Sequence, residues 1–243
     1  MLDEAWIAEA LSEELGAPIA VAVAYGPADV DALSGTERRR YADLVGTPRC
    51  DSWLRGRAAL KRLLVGIGDP PDTSALVFPH LRVSLTHCGR YAVAVALEGR
   101  GSGLGVDLEI RRSLPAEAAR FFLSRGEREL LPDPEGPALL RLWTVKEAVF
   151  KADPGNSGRG LLDYQVADPT VRRGEACLGR DPAMLIRYAS LPVQGGFLTA
   201  AVATSAGTQK PARPVRSADS EPRRVGVLGE RVEGQAHRGR VWP

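Results

Sequence analysis

Cysteine and histidine are too scarce in this chain for most metal and redox chemistry. Cys50, Cys88 and Cys177 are its only cysteines, widely spaced and without a CxxC pair. Neither a disulfide framework nor a zinc site is therefore expected, and the thiols read as reduced. His80, His87 and His237 are the only histidines, which argues against a histidine-based metal site. Long apolar runs are missing too. The longest, residues 19–25, is far too short to cross a bilayer. Near the N-terminus stand Asp3, Glu4, Glu9, Glu13 and Glu14, where a secretory leader needs basic residues and a long apolar stretch. A cytoplasmic protein without membrane contact is expected.

A large charge of one sign is also absent, with 32 Lys and Arg against 30 Asp and Glu for a net +2. The balance is uneven along the chain. Residues 206–243 hold eight basic and four acidic residues, leaving 24 basic and 26 acidic residues on the rest. The body thus offers no nucleic-acid surface. The last segment, rich in Pro, Gly, Ser and Arg without apolar periodicity, reads as a disordered basic tail.

What remains is ordinary for a soluble globular protein, with 243 residues, 44% hydrophobic and 26% charged. Residues 18–25 read as a strand. Ser34 opens a basic helix through Tyr41, and 51–65 form a second helix with Trp53, Leu60, Leu63 and Leu64 inward and Arg55, Arg57, Lys61 and Arg62 outward. Strands are expected at 81–86 and 91–98, joined through His87, Cys88, Gly89 and Arg90. Glycines at 99, 101 and 103 precede a strand at 104–110. Short helices at 115–122 and 125–131, a long helix at 137–152, and weak strands near 184–190 and 197–203 complete the pattern. The fold class is α+β, with two similar α/β subdomains at 1–100 and 101–205 around a glycine-rich hinge at 99–103, followed by the tail at 206–243.

Two segments carry the chemistry. On the 104–110 strand Asp107 and Glu109 stand two residues apart, so both carboxylates leave the same face. Oxygen ligands without His or Cys suit Mg²⁺ or Mn²⁺. A lone DxE is more often just an acidic strand face. The helix at 137–152 adds Glu147 and Lys151, an i, i+4 pair that on a random helix would be a surface salt bridge. Thr144 belongs to the same polar stripe, and Trp143 and Phe150 border it and imply partial enclosure. Three carboxylates with a lysine beside them suit a pyrophosphate, whose transfer depends on positioning and charge neutralisation. His87 in its turn, with Thr86 and Arg90 as companions, would contact phosphate.

In order along the chain, Thr86-His87-Cys88-Gly89, Gly105-Val106-Asp107-Leu108-Glu109 and Trp143-Thr144-Val145-Lys146-Glu147-Ala148-Val149-Phe150-Lys151 resemble the 4′-phosphopantetheinyl transferases of the surfactin-synthetase-activating type. The likeness spans roughly residues 34–152. It implies a pseudo-dimeric fold with the active site in the cleft between the halves. The implied reaction moves the phosphopantetheine arm of coenzyme A onto a serine of an apo acyl or peptidyl carrier protein and releases adenosine 3′,5′-bisphosphate. By position, Asp107, Glu109 and Glu147 would hold Mg²⁺, and Glu147 would take the serine proton, directly or through water. Lys151 would balance phosphate charge. Thr86 and His87 would meet the nucleotide phosphates, and Lys146 would support the metal side or face the carrier. Cys88 replaces a small hydroxyl residue of the family pattern. The arginine for coenzyme A is Arg49 or Arg57, with Arg38, Arg39 and Arg40 as further candidates. A monomer is expected, because one chain supplies both halves, and the basic helix faces would meet an acidic carrier.

Two other readings fit the same residues. One is a metal-dependent phosphohydrolase using the three carboxylates. The other is a nucleotide- or nucleic-acid-binding regulator using the basic tail.

Overall fold

A computed structural model describes residues 1–98, 103–131, 136–179 and 181–205. Helix α1 (Glu4–Leu15) leads into β1 (Ile19–Tyr25), followed by α2 (Gly35–Leu44), α3 (Cys50–Gly66), β2 (Val83–Cys88) and β3 (Tyr91–Leu97). The second half opens with β4 (Leu104–Ile110) and a 3₁₀ turn over Ala116–Phe121. After it come α4 (Arg125–Glu129), α5 (Pro137–Ala152), β5 (Tyr164–Val166), β6 (Arg173–Leu178), β7 (Asp181–Val193) and β8 (Gly196–Ser205). The mixture of helices with antiparallel sheets is that of an α+β fold. The expected tail at 206–243 lies outside the described residues, as do residues 99–102 of the expected hinge. No described helix is long and apolar enough to cross a membrane.

The strands form a three-stranded sheet in the order β1-β3-β2 and a five-stranded sheet in the order β4-β8-β7-β6-β5, with antiparallel pairing throughout. One long helix covers each: α3 packs on β1 and β3, and α5 on β4 and β8. The α5 contact is unusually close. A Cβ at Gly105 would collide with the backbone carbonyl of Ala148, so only glycine lets the helix rest directly on β4.

The sheets meet along one edge. The β2 side chains Ser84, Thr86 and Cys88 accept the backbone N–H groups of Val106, Leu108 and Ile110 at 3.0, 3.2 and 3.3 Å. The sequence offset is 22 in each case, so β2 and β4 run parallel. Side chains thereby satisfy edge donors that would otherwise be orphaned. A shared apolar core lies behind the seam, joining Ile19, Val93 and Val95 of the first sheet to Val106, Leu198 and Ala200 of the second.

Helix α1 contributes Ile7, Leu11 and Leu15 to that core and contacts β1 and β7. Asp3 caps it by accepting from Trp6 N at 3.1 Å, and Gly16 at φ +60° ends it. Its i, i+4, i+8 apolar spacing forms a narrow buried stripe on an otherwise acidic helix that was not among the expected elements.

Several expectations shift. β2 runs to Cys88, so His87 is a strand residue and the hairpin turn is only Gly89-Arg90. Residues 116–121 are 3₁₀ rather than α-helical, and β5 and β6 are additional strands. On α3, Trp53 is half-buried rather than inward, and Arg55 is buried rather than outward. Arg55 donates to the carbonyls of Gly26 and Gly89 at 2.7 and 3.0 Å. Lys61 pairs with Glu37 at 2.7 Å, and Arg62 pairs with Glu4 at 2.8 Å. Arg55 and Lys61 are therefore engaged within the fold, and Arg62 is paired at its surface.

Glu37 anchors α2. It forms a capping box with Ser34 and accepts from Thr73 N at 3.1 Å while its side chain is almost wholly buried. Burial opposes its ionisation, but the hydrogen bonds from Lys61, Thr73 and Ser34 prevail and hold its carboxyl at about 2 against an ordinary 4.5. A depressed carboxyl stabilises the fold above the unfolded value, and that contribution fades as pH falls from 4.5 toward 2. Glu37→Gln is expected to cost about 2–4 kcal/mol at pH 7, with the gap to the parent narrowing below pH 4.5. Urea unfolding across pH checks this, and a pH-independent gap would refute it.

Candidate functional site

A cavity of about 610 Å³ opens where β2, β4, α3 and α5 converge. On α5 nearly every side chain between Leu139 and Ala152 is buried, and only Trp143, Glu147, Phe150 and Lys151 are less so. Their i, i+4, i+7, i+8 spacing is one helical stripe, and all four line the cavity. Thr144, expected on that stripe, is buried and shares its hydroxyl with Thr199 at 2.7 Å.

The cavity also receives Asp107 and Glu109 from β4, Thr86 and His87 from β2, and Arg57 from α3. Asp107 accepts at Oδ1 from Lys151 Nζ at 2.7 Å and from the Thr86 hydroxyl at 3.2 Å. Its Oδ2 is buried without a hydrogen-bond partner. Thr86 thus spends its hydroxyl on Asp107 and Leu108 N, which makes it a positioner of the carboxylate. Glu109 meets Arg112 at 2.5 Å through Oε1 and the Cys88 thiol at 3.7 Å through Oε2. Burial, with the neighbouring Glu109, pushes the Cys88 thiol up, so it stands as an inert seam donor and acceptor rather than a nucleophile.

Burial raises the proton affinity of Glu147 above the ordinary carboxyl value. The charges of Asp107 and Glu109 add to the rise, while Lys151 and Arg112 oppose it. Three carboxylates therefore feel one another across this cavity. As the side chains stand, no three His, Cys, Asp or Glu among the described residues converge at metal-ligand distance. Asp107 and Glu109 are turned onto Lys151 and Arg112 instead. The donor set is all carboxylate, and the unpartnered Asp107 Oδ2 fits a hard divalent cation.

A second cavity of about 410 Å³ adjoins the first and shares Arg57, Leu85 and His87 with it. Arg40, Leu44, Arg49, Ser52 and Trp53 line the rest. Arg57 donates to Thr73 Oγ1 at 3.1 Å, and its guanidinium lies 5.3 Å above the Trp53 ring. Its Nε is buried without a partner, and burial pulls its pKa down.

Of the residues singled out from sequence, Arg57, Thr86, His87, Asp107, Glu109, Glu147 and Lys151 gather at the first cavity, and Arg49 at its neighbour. Arg38 and Arg39 line neither. Lys146 lies in the core at 0% exposure, paired with Glu127 at 2.6 Å and donating to the Tyr164 carbonyl. Phe78 and Asn156, which line the first cavity, and Arg112, which pairs with Glu109 from outside that lining, carried no assignment from sequence. Only Arg112 had a local signal, its i+3 spacing from Glu109.

Residues 103–199 match the model of the 4′-phosphopantetheinyl transferase superfamily. The match is under half of the chain, and it holds Asp107, Glu109, Glu147 and Lys151 but not Arg57 or His87. It supports phosphopantetheine transfer as the activity class. No curated protein matches the chain.

Two outcomes follow from the geometry. Gly105→Ala would drive α5 off β4 and is expected to cost about 3 kcal/mol or more, read as a lower thermal midpoint; a loss below about 1 kcal/mol would show that the helix shifts freely. Glu147 binds its proton more tightly folded than unfolded, so its ionised form opposes folding as pH rises. Metal-free Glu147→Gln should therefore be more stable than the parent at pH 7, with the advantage vanishing below the unfolded carboxyl range. Equal midpoints across pH would show that burial exerts no such penalty.

Proposed function

We propose that this protein transfers the 4′-phosphopantetheine arm of coenzyme A to a serine hydroxyl of an apo acyl or peptidyl carrier protein, releasing adenosine 3′,5′-bisphosphate. The observation that carries this reading is a pair of opposite unmet demands on one cavity. Asp107 Oδ2 is a buried acceptor without a donor, and Arg57 Nε is a buried donor without an acceptor. A ligand bringing both a cation and anionic oxygens answers both at once, and a metal-bound pyrophosphate is that ligand.

Asp107, Glu109 and Glu147 would hold the Mg²⁺, or Mn²⁺ in its place. The ion's chemistry, when bound, is to neutralise pyrophosphate charge as the transfer proceeds. The chain's own residues account for the rest. Arg57 and His87, with Arg49 and Arg40 in the adjoining cavity, supply the basic wall for the nucleotide phosphates of coenzyme A. Lys151, part-exposed and held between Asp107 and the Val106 carbonyl, balances negative charge at the reacting phosphoryl group. Glu147 is the base. Burial raises its proton affinity above the ordinary carboxyl value, the direction that favours taking up the serine proton. The serine oxygen then bonds to phosphorus as the phosphorus–oxygen bond to the nucleotide breaks, and the bisphosphate leaves with that electron pair. Because one chain builds every wall of the cavity, we read the protein as acting as a monomer.

The test is mass spectrometry of several apo carrier proteins incubated with coenzyme A, Mg²⁺ and this protein. A gain of one phosphopantetheinyl mass is expected, and no gain on any carrier would sink the reading. Asp107→Ala should slow transfer by roughly 100-fold or more while the protein stays folded. Release of free phosphopantetheine without a carrier would instead mark a phosphohydrolase.

A further inference from the structure

The geometry points to Arg112 as a built-in counter-ion that occupies Glu109 in the metal-free protein and is displaced when a divalent cation binds. This rests on the proposal that Asp107, Glu109 and Glu147 hold that cation.

Both strand carboxylates are already neutralised from within, but by different kinds of cation. Lys151 is fixed. It emerges from a buried helix, is itself 30% exposed, and binds both Asp107 and the Val106 carbonyl. Arg112 is not fixed. It stands three residues beyond Glu109, just past the end of β4, and its side chain is 46% exposed. Among the described residues its only polar partner is Glu109, at 2.5 Å. Its guanidinium also lies over the Trp143 ring, 5.5 Å from the centroid, and Trp143 lines the same cavity.

Such a pair can open cheaply. A part-exposed ion pair contributes little net free energy, because water re-solvates the guanidinium as it leaves. A divalent ion at the three carboxylates offers Glu109 twice the charge, and the same ion repels the guanidinium. Arg112 therefore performs two tasks. It keeps three mutually repelling carboxylates tolerable without metal, and it sets a threshold that the cation must exceed. Arg112 also lines a neighbouring cavity with Ser113, Pro137 and Gln194, which gives the released guanidinium room to move away from Glu109 and Trp143.

Direct Mn²⁺ titration, followed by electron paramagnetic resonance without coenzyme A or carrier, reads the competition apart from catalysis. Arg112→Gln should bind Mn²⁺ about three- to tenfold more tightly than the parent, more so at low salt. Arg112→Lys, which keeps the charge without the planar fork, should fall between them. Arg125→Gln removes a distant exposed charge and should leave the affinity unchanged. The second readout is tryptophan fluorescence. Mg²⁺ should change the emission of the parent, and the change should vanish in Arg112→Gln and in Trp143→Phe. Equal Mn²⁺ affinity in the parent and Arg112→Gln would overturn the inference while leaving the cation site intact. No Mn²⁺ binding by either would overturn both it and the cation reading.

Discussion

The fold depends on a seam in which side chains do the work of a backbone ladder. β2 and β4 are edge strands of separate sheets, and Ser84, Thr86 and Cys88 take the N–H groups that no neighbouring strand can reach. The middle rung has a second role. The Thr86 oxygen accepts from Leu108 N and its proton goes to Asp107. The bond that joins the sheets therefore also aims the first carboxylate of the cavity. Cys88 fits the same logic at the third rung, where sulfur accepts from Ile110 N. The seam needs a small side chain with a lone pair at that position, and a thiol provides one.

From this seam the charge economy of the molecule divides in two. Away from the cavity, the buried ion pairs that hold the helices are well answered, although Arg187 Nε on β7 is a buried donor without a partner. Glu37 meets Lys61, Thr73 and Ser34. Glu127 meets Lys146, Ser124 and Val166 N. Such groups cost little once paired and hydrogen-bonded, and they fix helices in place. At the cavity the pairing is incomplete in both senses, with an unmet acceptor on Asp107 and an unmet donor on Arg57. What sets the cavity apart is that an unmet acceptor and an unmet donor occur together on its wall.

Much of this was legible from residue order. The strand and helix bearing Asp107, Glu109, Glu147 and Lys151 follow from periodicity, and the glycine of Gly105-Val106-Asp107 marks the close approach of α5. The strands of the second sheet were harder. β5 and β6 are short, and β7 with β8 is organised by the positive-φ pair Gln194-Gly195 at its turn, which Pro192 obscures. Helix α1 carries only a narrow apolar stripe, Ile7, Leu11 and Leu15, among Glu4, Glu9, Glu13 and Glu14, so its composition alone does not mark it as a buried helix. Arg112 and Arg55 could not be assigned from order alone. A strand or helix position does not reveal whether an arginine turns toward water, a carbonyl or a carboxylate.

Lys146 and Glu147 show why a motif read as a block overstates its site. Neighbours on a helix point about 100° apart, so both cannot face one narrow cavity when the helix is buried on its other sides. α5 is buried on all but one stripe, and Glu147 occupies that stripe. Lys146 must then enter the core, where burial draws its pKa down and Glu127 draws it back up. The cost of burying that charge is offset by what it fixes. Through Glu127 and the Tyr164 carbonyl it ties α5 to α4 and β5, and this sets the rotation at which Glu147 and Lys151 reach Asp107's side of the cavity. The motif thus divides its labour by helical angle, with one lysine setting the helix and the other facing the cavity.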